Sequence, residues 1–127
     1  MSGRILVIED EQEMCALLEA GLSRRGFAVL TCISGEEGVA AIDQWQTDVV
    51  LADINLPDMN GLDICRIIAG QKPDIPVVIM TAFGSMDTAI KAIRVGAYDF
   101  IPKPLDLDML ALTLERALKF RTLQRTV

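Results

Sequence analysis

The hydrophobic positions of this chain form five short runs, separated by segments in which apolar residues follow a helical spacing. Most of the runs are continuous rather than alternating, which is typical of strands buried on both faces of a parallel sheet. The second and fifth runs are weaker, as expected at the edges of a sheet. The predicted strands are Ile5–Ile8, Phe27–Leu30, Val49–Ala52, Val77–Met80 and Tyr98–Ile101.

Between these runs, apolar residues recur at intervals of three and four and therefore share one face of a helix. The first helix contains the stripe from Met14 to Leu22, and the third extends from Gly61 to Gly70. Ser34 with Glu37 three residues on has the pattern of a capping box that opens the second helix, and Ser85 is a candidate cap for the fourth. The last two stripes are Met86, Ala89, Ile90 and Ile93, then Leu107, Leu110, Ala111, Leu114, Ala117 and Leu118.

Strands that alternate with helices predict an α/β three-layer fold, in which a five-stranded parallel sheet is flanked by five helices. The 127 residues suit one domain with a single core. We assign residues 1–122 to this domain and 123–127 to a C-terminal tail or the start of a linker helix. The basic residues after Leu118 suit a helix C-terminus, and the segment either continues the fifth helix or frays.

Charge and hydropathy exclude several classes of function. The formal net charge of -6 disfavours contact with phosphate backbones, so we expect no direct nucleic-acid binding. The same charge fits a protein that binds a divalent cation, and it fits equally well a protein whose charge serves only solubility. No apolar run approaches the ~20 residues that cross a bilayer, and the first residues have no signal-peptide pattern. We therefore expect a cytoplasmic protein that does not bind membranes.

The cysteines and histidines argue against two further kinds of site. The chain has no histidine, and its three cysteines, Cys15, Cys32 and Cys65, are far apart. This composition makes a structural zinc site or a Cys–His nucleophile pair improbable. Isolated cysteines of this kind fit small core residues in a reducing cytosol.

Polar side chains follow four of the predicted strands, at the point where each strand ends. Ligands of open parallel sheets bind at the carboxyl ends of the strands. We therefore expect acids, a hydroxyl group and one lysine to meet at a single rim. These residues are Glu9, Asp10 and Glu11 after the first strand, Asp53 after the third, Thr81 and Ala82 after the fourth, and Lys103 after the fifth.

Facing carboxylates repel each other, and a hard divalent cation removes that repulsion. Magnesium prefers oxygen ligands and binds through one or two carboxylates while keeping water molecules and phosphate oxygens. We expect Asp10 and Asp53 to be direct ligands of Mg²⁺, for which Mn²⁺ can substitute. The backbone carbonyl of Asn55 is a third candidate ligand, and Glu9 is expected to act through a bound water.

A carboxylate at Asp53 can attack a phosphoryl group and form an acyl phosphate. Lys103, the Thr81 hydroxyl and the Ala82 amide can stabilise charge on the transferred oxygens, together with the metal. Each residue has a plain structural explanation when it is taken alone: Asp53 and Thr81 as turn or cap residues, Lys103 as a solvated loop charge. Their joint placement at successive strand ends is what favours a site.

Four stretches with these residues resemble a response-regulator receiver domain: ILVIEDE (5–11), DINLPDMNG (53–61), VVIMTA (77–82) and GAYDFIPKP (96–104). The resemblance implies a doubly wound, flavodoxin-like fold with strand order 2-1-3-4-5. It also implies phosphoryl transfer from a sensor histidine kinase to Asp53, followed by slow dephosphorylation, with no turnover of an external substrate. A cis Lys103–Pro104 bond is implied as well. Glu9 stands where many members carry Asp, a common variant that leaves the metal role intact.

The same resemblance implies a switch. It assigns Tyr98 as an aromatic ring that turns inward when phosphate draws the Thr81 hydroxyl away, although Tyr98 also fits an ordinary edge-strand aromatic packed on the fourth helix. The output face would then be the fourth helix, the fifth strand and the fifth helix, which would control an output domain or a homodimer.

Residues 81–89 and 96–100 are most similar to receivers of nitrogen-regulation-type transcriptional activators, which precede an ATPase module and a DNA-binding domain. Neither module is present in this chain, so we expect the output domain to lie outside it. An extended fifth helix is a second candidate dimer contact.

Three other classes of protein fit the sequence less well. A haloacid-dehalogenase-type phosphatase would need Asp-x-Asp after the first strand, whereas Asp53 follows the third strand and has Asn55 two residues on. A flavodoxin-type cofactor binder would need a glycine- and hydroxyl-rich loop where Glu9, Asp10 and Glu11 would repel a phosphate. A pseudo-receiver that acts purely as an interaction module would not need all five pocket positions filled with competent residues.

Overall fold

The structure is a computed structural model that describes residues 3–82 and 86–126, the side chains of 124–126 excepted. Its strands are β1 (Arg4–Ile8), β2 (Ala28–Cys32), β3 (Val49–Asp53), β4 (Val77–Thr81) and β5 (Asp99–Pro102). Its helices are α1 (Gln12–Arg24), α2 (Gly35–Trp45), α3 (Gly61–Gln71), α4 (Met86–Arg94) and α5 (Leu107–Thr126).

The five strands form one parallel sheet in the order β2-β1-β3-β4-β5. This order confirms the predicted doubly wound fold, and it places the two weakest hydrophobic runs at the edges. Every residue of β3 and β4 is buried. Continuous apolar runs therefore occur where helices cover both faces of the sheet.

Side chains that alternate along the central strands build a core on each face of the sheet. On one face, Val50 and Ile79 pack in a cluster with Ile64 of α3. On the other, Leu51 packs in a second cluster with Leu114 of α5. Each fully buried aliphatic side chain contributes ~1.5–3 kcal/mol to stability.

The edge strands lie slightly later in the chain than predicted. Phe27 is buried but precedes β2, because its N–H donates to the Leu22 carbonyl at the end of α1. β2 instead continues to Cys32, which pairs with Ile8. Tyr98 likewise precedes β5. The bounds of each edge strand are set by its backbone pairing with the adjacent inner strand, whereas a hydrophobic run in the sequence indicates only which residues are buried.

The helix termini confirm part of the sequence analysis. The Ser34 hydroxyl accepts a hydrogen bond from the Glu37 N–H at 3.2 Å, which confirms Ser34 as the N-cap of α2. The return bond from the Ser34 N–H to the Glu37 carboxylate, which would complete the predicted capping box, is not formed among the described residues. A capping box between Asn60 and Asp63 opens α3 and was not predicted. The candidate cap Ser85 lies outside the described residues.

The fifth helix continues through the basic segment to Thr126. Of the two alternatives for the segment after Leu118, helix continuation is therefore the one observed. The domain boundary after residue 122 stays a prediction. Within the described part of the chain, none of the helices combines the length and apolar character needed to cross a membrane.

Candidate functional site

Three carboxylates meet at the carboxyl edge of the sheet. Glu9 follows β1, and Asp53 is the last residue of β3. Oxygen atoms of Glu9, Asp10 and Asp53 all lie within 4.8 Å of one another. Glu9 and Asp53 are buried, at 1% and 7% exposure, whereas Asp10 is exposed. The cluster is thus open to solvent on the Asp10 side, and a metal ion can reach its oxygen atoms.

Lys103 extends into this cluster from the end of β5. Its Nζ lies 3.0 Å from Glu9 Oε1 and 3.4 Å from Asp53 Oδ1. The backbone N–H of Lys103 donates a hydrogen bond to the Thr81 carbonyl at 2.8 Å, and this bond joins the ends of β5 and β4. The Lys103–Pro104 peptide bond is cis, as the family resemblance implied.

Burial and neighbouring charges shift the pKa values of Glu9 and Lys103. Burial raises the pKa of Glu9, and the negative charge of Asp53 raises it further. The Glu11 amide and Lys103 lower this pKa, but it still lies above its usual value. Partial burial lowers the pKa of Lys103, but the hydrogen bond to Glu9 and the charge of Asp53 outweigh this, so that it lies above its usual value. One ammonium group thus faces three carboxylates, and a divalent cation fits this donor set.

The loop from Asp53 to Gly61 is closed at its base. The Ile54 N–H donates to the Met80 carbonyl at 3.0 Å, and the Gly61 N–H donates to the Ile54 carbonyl at 2.8 Å. Asn55 forms a β-bridge with Asn60. A Cβ at position 61 would lie only 2.9 Å from the Asp53 carbonyl oxygen, so a residue without a side chain is needed there. The closed base holds Asn55 near Asp53.

Thr81 and Ala82 lie at the same edge. Asp53 pairs with Met80 across the β3–β4 ladder, and Thr81 is the next residue. Thr81 is buried at 2% exposure, whereas Ala82 is exposed just beyond the strand. The sheet therefore brings the end of β4 alongside the end of β3, as the strand-end argument predicted.

Tyr98 does not lie beside Thr81. Its N–H donates to the Val77 carbonyl at 2.7 Å, at the opposite end of β4. Four residues separate Val77 from Thr81, a distance of about 13 Å at ~3.3 Å per residue. The Tyr98 ring contacts Phe120 of α5, with centroids 5.2 Å apart, and packs against the core cluster on that face. This geometry contradicts the expectation that the Tyr98 ring turns into space left by Thr81.

Phe100 is the aromatic residue that shares a face with Thr81. It pairs with Ile79 in the β4–β5 ladder and packs against the cluster that contains Ile79. Thr81 is two residues beyond Ile79, so strand alternation directs its side chain to the same face. Phe100 was not predicted, because strand alternation alone places Tyr98 and Phe100, two residues apart, on the same face; Tyr98 departs from it because it precedes β5.

The fold and the site define a class of protein, and comparison with known families gives the same class. Residues 5–115 match the family described as the response regulator receiver domain, and the chain belongs to that family. It is therefore a receiver domain of the response regulators of two-component signal transduction.

Its relatives include regulators of transcription. The chain is 40% identical over 114 residues to the transcriptional regulatory protein ZraR of Salmonella typhimurium, covering 90% of this chain and 26% of that protein. It is 37% identical over 116 residues to the DNA-binding transcriptional regulator NtrC of Proteus hauseri, covering 91% and 24%. The predicted similarity to receivers of nitrogen-regulation-type activators is confirmed.

A solved structure of NtrX from Brucella abortus in complex with ADP superposes with a TM-score of 0.91 at 39% identity. The match covers 99% of this chain and 28% of that one. The chain thus spans about a quarter of the length of the curated relatives described above. The remaining parts of those relatives have no counterpart in this chain.

Proposed function

We propose that this domain accepts a phosphoryl group on Asp53 in an Mg²⁺-dependent reaction and so acts as the input switch of a transcription regulator. The observation that carries the proposal is the approach of Glu9, Asp10 and Asp53 to within 4.8 Å of one another, with the Lys103 ammonium 3.4 Å from Asp53. A mere helix cap would need neither the other acids nor the lysine.

In the proposed reaction, one Asp53 oxygen forms a bond to phosphorus as the P–N bond of a phosphohistidine on a sensor kinase breaks. The released imidazole takes its proton from solvent. Asp53 needs no general base, because an ionised carboxylate is already a nucleophile. Lys103, the Thr81 hydroxyl and the Ala82 amide stabilise the charge on the three phosphoryl oxygens. Later attack by water on phosphorus returns Asp53 and inorganic phosphate.

Asp10, Asp53 and the Asn55 carbonyl would hold the metal directly, and Glu9 would hold it through a water. When bound, Mg²⁺ supplies positive charge to the phosphoryl oxygens. An indirect role for Glu9 is supported because both of its carboxylate oxygens are already engaged, Oε1 by Lys103 at 3.0 Å and Oε2 by the Glu11 N–H at 3.1 Å. Mn²⁺ offers the same preference for oxygen ligands and should substitute.

The switch is proposed to run from Thr81 to Phe100, in place of Tyr98. Movement of the Thr81 hydroxyl toward phosphate would leave space on the face that Phe100 shares. Phe100 lies on β5, between α4 and α5. These two helices carry exposed apolar side chains at Met86, Ile90, Ile93, Met109 and Leu112. Such a surface suits a homodimer or an output domain in a longer cytoplasmic regulator.

The test is phosphorylation of the purified chain by acetyl phosphate with Mg²⁺, followed by intact-mass spectrometry. The wild type should gain one phosphoryl mass, and chelation of the metal should prevent this. Asp53→Ala should gain none, whereas Asp43→Ala, which changes an exposed acid on α2, should behave as the wild type. Absence of a wild-type adduct would reject the proposal and favour a pure interaction module.

A further inference from the structure

Asp58, at the tip of the loop between β3 and α3, contacts the N-terminus of α2. Its Oδ1 accepts a hydrogen bond from the Gly35 N–H at 2.8 Å, and its Oδ2 accepts one from the Glu36 N–H at 2.8 Å. N–H groups of a first helical turn lack partners within the helix, and the helix dipole favours an anion there. Asp58 therefore joins two elements that are otherwise separate in the chain.

The neighbouring residue strengthens the same contact. Met59 packs so closely on Gly35 that a side chain at position 35 would collide with it. The N–H groups of Glu36 and Gly35 hold the pKa of Asp58 below its usual value, so the carboxylate is charged at neutral pH. The tip of the loop is thus fastened to α2 by charge-assisted hydrogen bonds and by van der Waals contact.

This contact does more than cap α2. The Ser34 hydroxyl already accepts from the Glu37 N–H at 3.2 Å. The loop that Asp58 fastens is the one that begins at Asp53 and carries Asn55, and its base is closed by the Asn55–Asn60 bridge. Because the bridge joins the two arms of the loop, a displacement of the tip is expected to reach the Asn55 backbone.

We propose that Asp58 is a positioning residue for the metal site: by anchoring the loop tip to α2, it holds the Asn55 carbonyl beside Asp53. The inference rests on the proposed function, because it assumes that Mg²⁺ binds there. Asp58 itself touches neither the metal nor the phosphoryl group. Its effect passes through the loop backbone, in the way that outer partners of metal ligands set ligand orientation.

The test compares Asp58→Ala, Asp58→Asn and Ser34→Ala with the wild type. Ser34→Ala is the matched control, because it removes a cap of the same helix without touching the loop. Mg²⁺ affinity is measured by titration with Mg²⁺ alone, followed by backbone amide NMR. Hydrogen exchange of residues 54–60 is measured in parallel without metal.

We expect Asp58→Ala to bind Mg²⁺ about ten-fold more weakly, at the low end for outer partners of metal ligands. Its loop amides should exchange faster. Asp58→Asn keeps one acceptor oxygen and should be intermediate, and Ser34→Ala should match the wild type in Mg²⁺ affinity. Equal Mg²⁺ affinity of Asp58→Ala and wild type, or an equal loss in Ser34→Ala, would overturn this inference alone. A wild type that binds no Mg²⁺ would overturn the proposed function with it.

Discussion

Gly61→Ala adds one methyl group and should disturb both stability and the site. Gly61 begins α3 and lies against the backbone that leaves β3. A Cβ there would be 2.9 Å from the Asp53 carbonyl oxygen and 2.9 Å from Ile54 Cα. Ile54 is itself hydrogen-bonded to Met80 of β4 at 3.0 Å. Neither backbone atom can move aside without loss of a contact to the sheet.

The magnitude follows from two opposing terms. Overpacking of this kind costs about 1–3 kcal/mol, and the better helix propensity of alanine returns at most about 1 kcal/mol. The free energy of unfolding should therefore fall by up to about 2 kcal/mol, which corresponds to about 4 °C in Tm per kcal/mol for a chain of this size. Because the displaced backbone belongs to Asp53, phosphorylation by acetyl phosphate should also slow.

Gly70→Ala is the matched control in the same helix. A Cβ at position 70 meets nothing within 4 Å. This variant should gain up to about 1 kcal/mol and keep the wild-type phosphorylation rate. Urea unfolding and a mass-spectrometric time course measure both quantities. If Gly61→Ala were as stable as Gly70→Ala and were phosphorylated at the wild-type rate, the steric argument would be refuted.

Three further predictions concern Lys103, the two ion pairs of Arg121 and Arg66, and the charge of Asp58. Lys103→Ala should keep the fold but uncouple phosphorylation from any change in oligomeric state, as judged by size-exclusion chromatography with and without acetyl phosphate. Arg121→Ala should lower the free energy of unfolding by about 1–3 kcal/mol, since half-buried Asp48 loses its ion-pair partner at 2.6 Å and keeps the hydrogen bond from the Arg4 N–H at 2.9 Å. Arg66→Ala, which removes an exposed pair, should change it by under about 0.5 kcal/mol. The pKa of Asp58 is lowered in the folded state, so its contribution to the free energy of unfolding should be fully present above its unfolded pKa of about 3.9. That contribution should be lost as the pH falls through the lowered folded pKa, and urea midpoints measured across this pH range should show the loss.

Each of these has a contrary result. A Lys103→Ala protein that still changes oligomeric state on phosphorylation would remove the lysine from the switch. Equal losses for Arg121→Ala and Arg66→Ala would mean that the partly buried pair is no stronger than an exposed one. If the difference between wild type and Asp58→Ala were unchanged at pH 3, its charge would not be the source of the stability.

Much of this domain could be predicted from local pattern. Continuous apolar runs identified β1, β3 and β4, because burial on both faces leaves few polar positions in a strand. The helical stripes identified α1, α2, α3 and α5 for the corresponding reason. The fourth stripe also identified α4, although its members Met86, Ile90 and Ile93 are exposed and Ala89 is buried. The polar residues at strand ends then predicted a common rim, since carboxyl ends of parallel strands meet at one edge. The strand order came from the family resemblance, and the described sheet has that order.

The sequence by itself thus determined the elements, their alternation and the residue types that meet at one edge of the sheet. The tertiary structure decided which face each side chain shares: Phe100 lies on the face of Thr81, whereas Tyr98 packs against Phe120. It also decided that Asp58 reaches α2, more than 20 residues earlier in the chain. Periodicity records burial along one element, but register and packing between distant elements depend on backbone pairing and side-chain shape, which no local pattern contains.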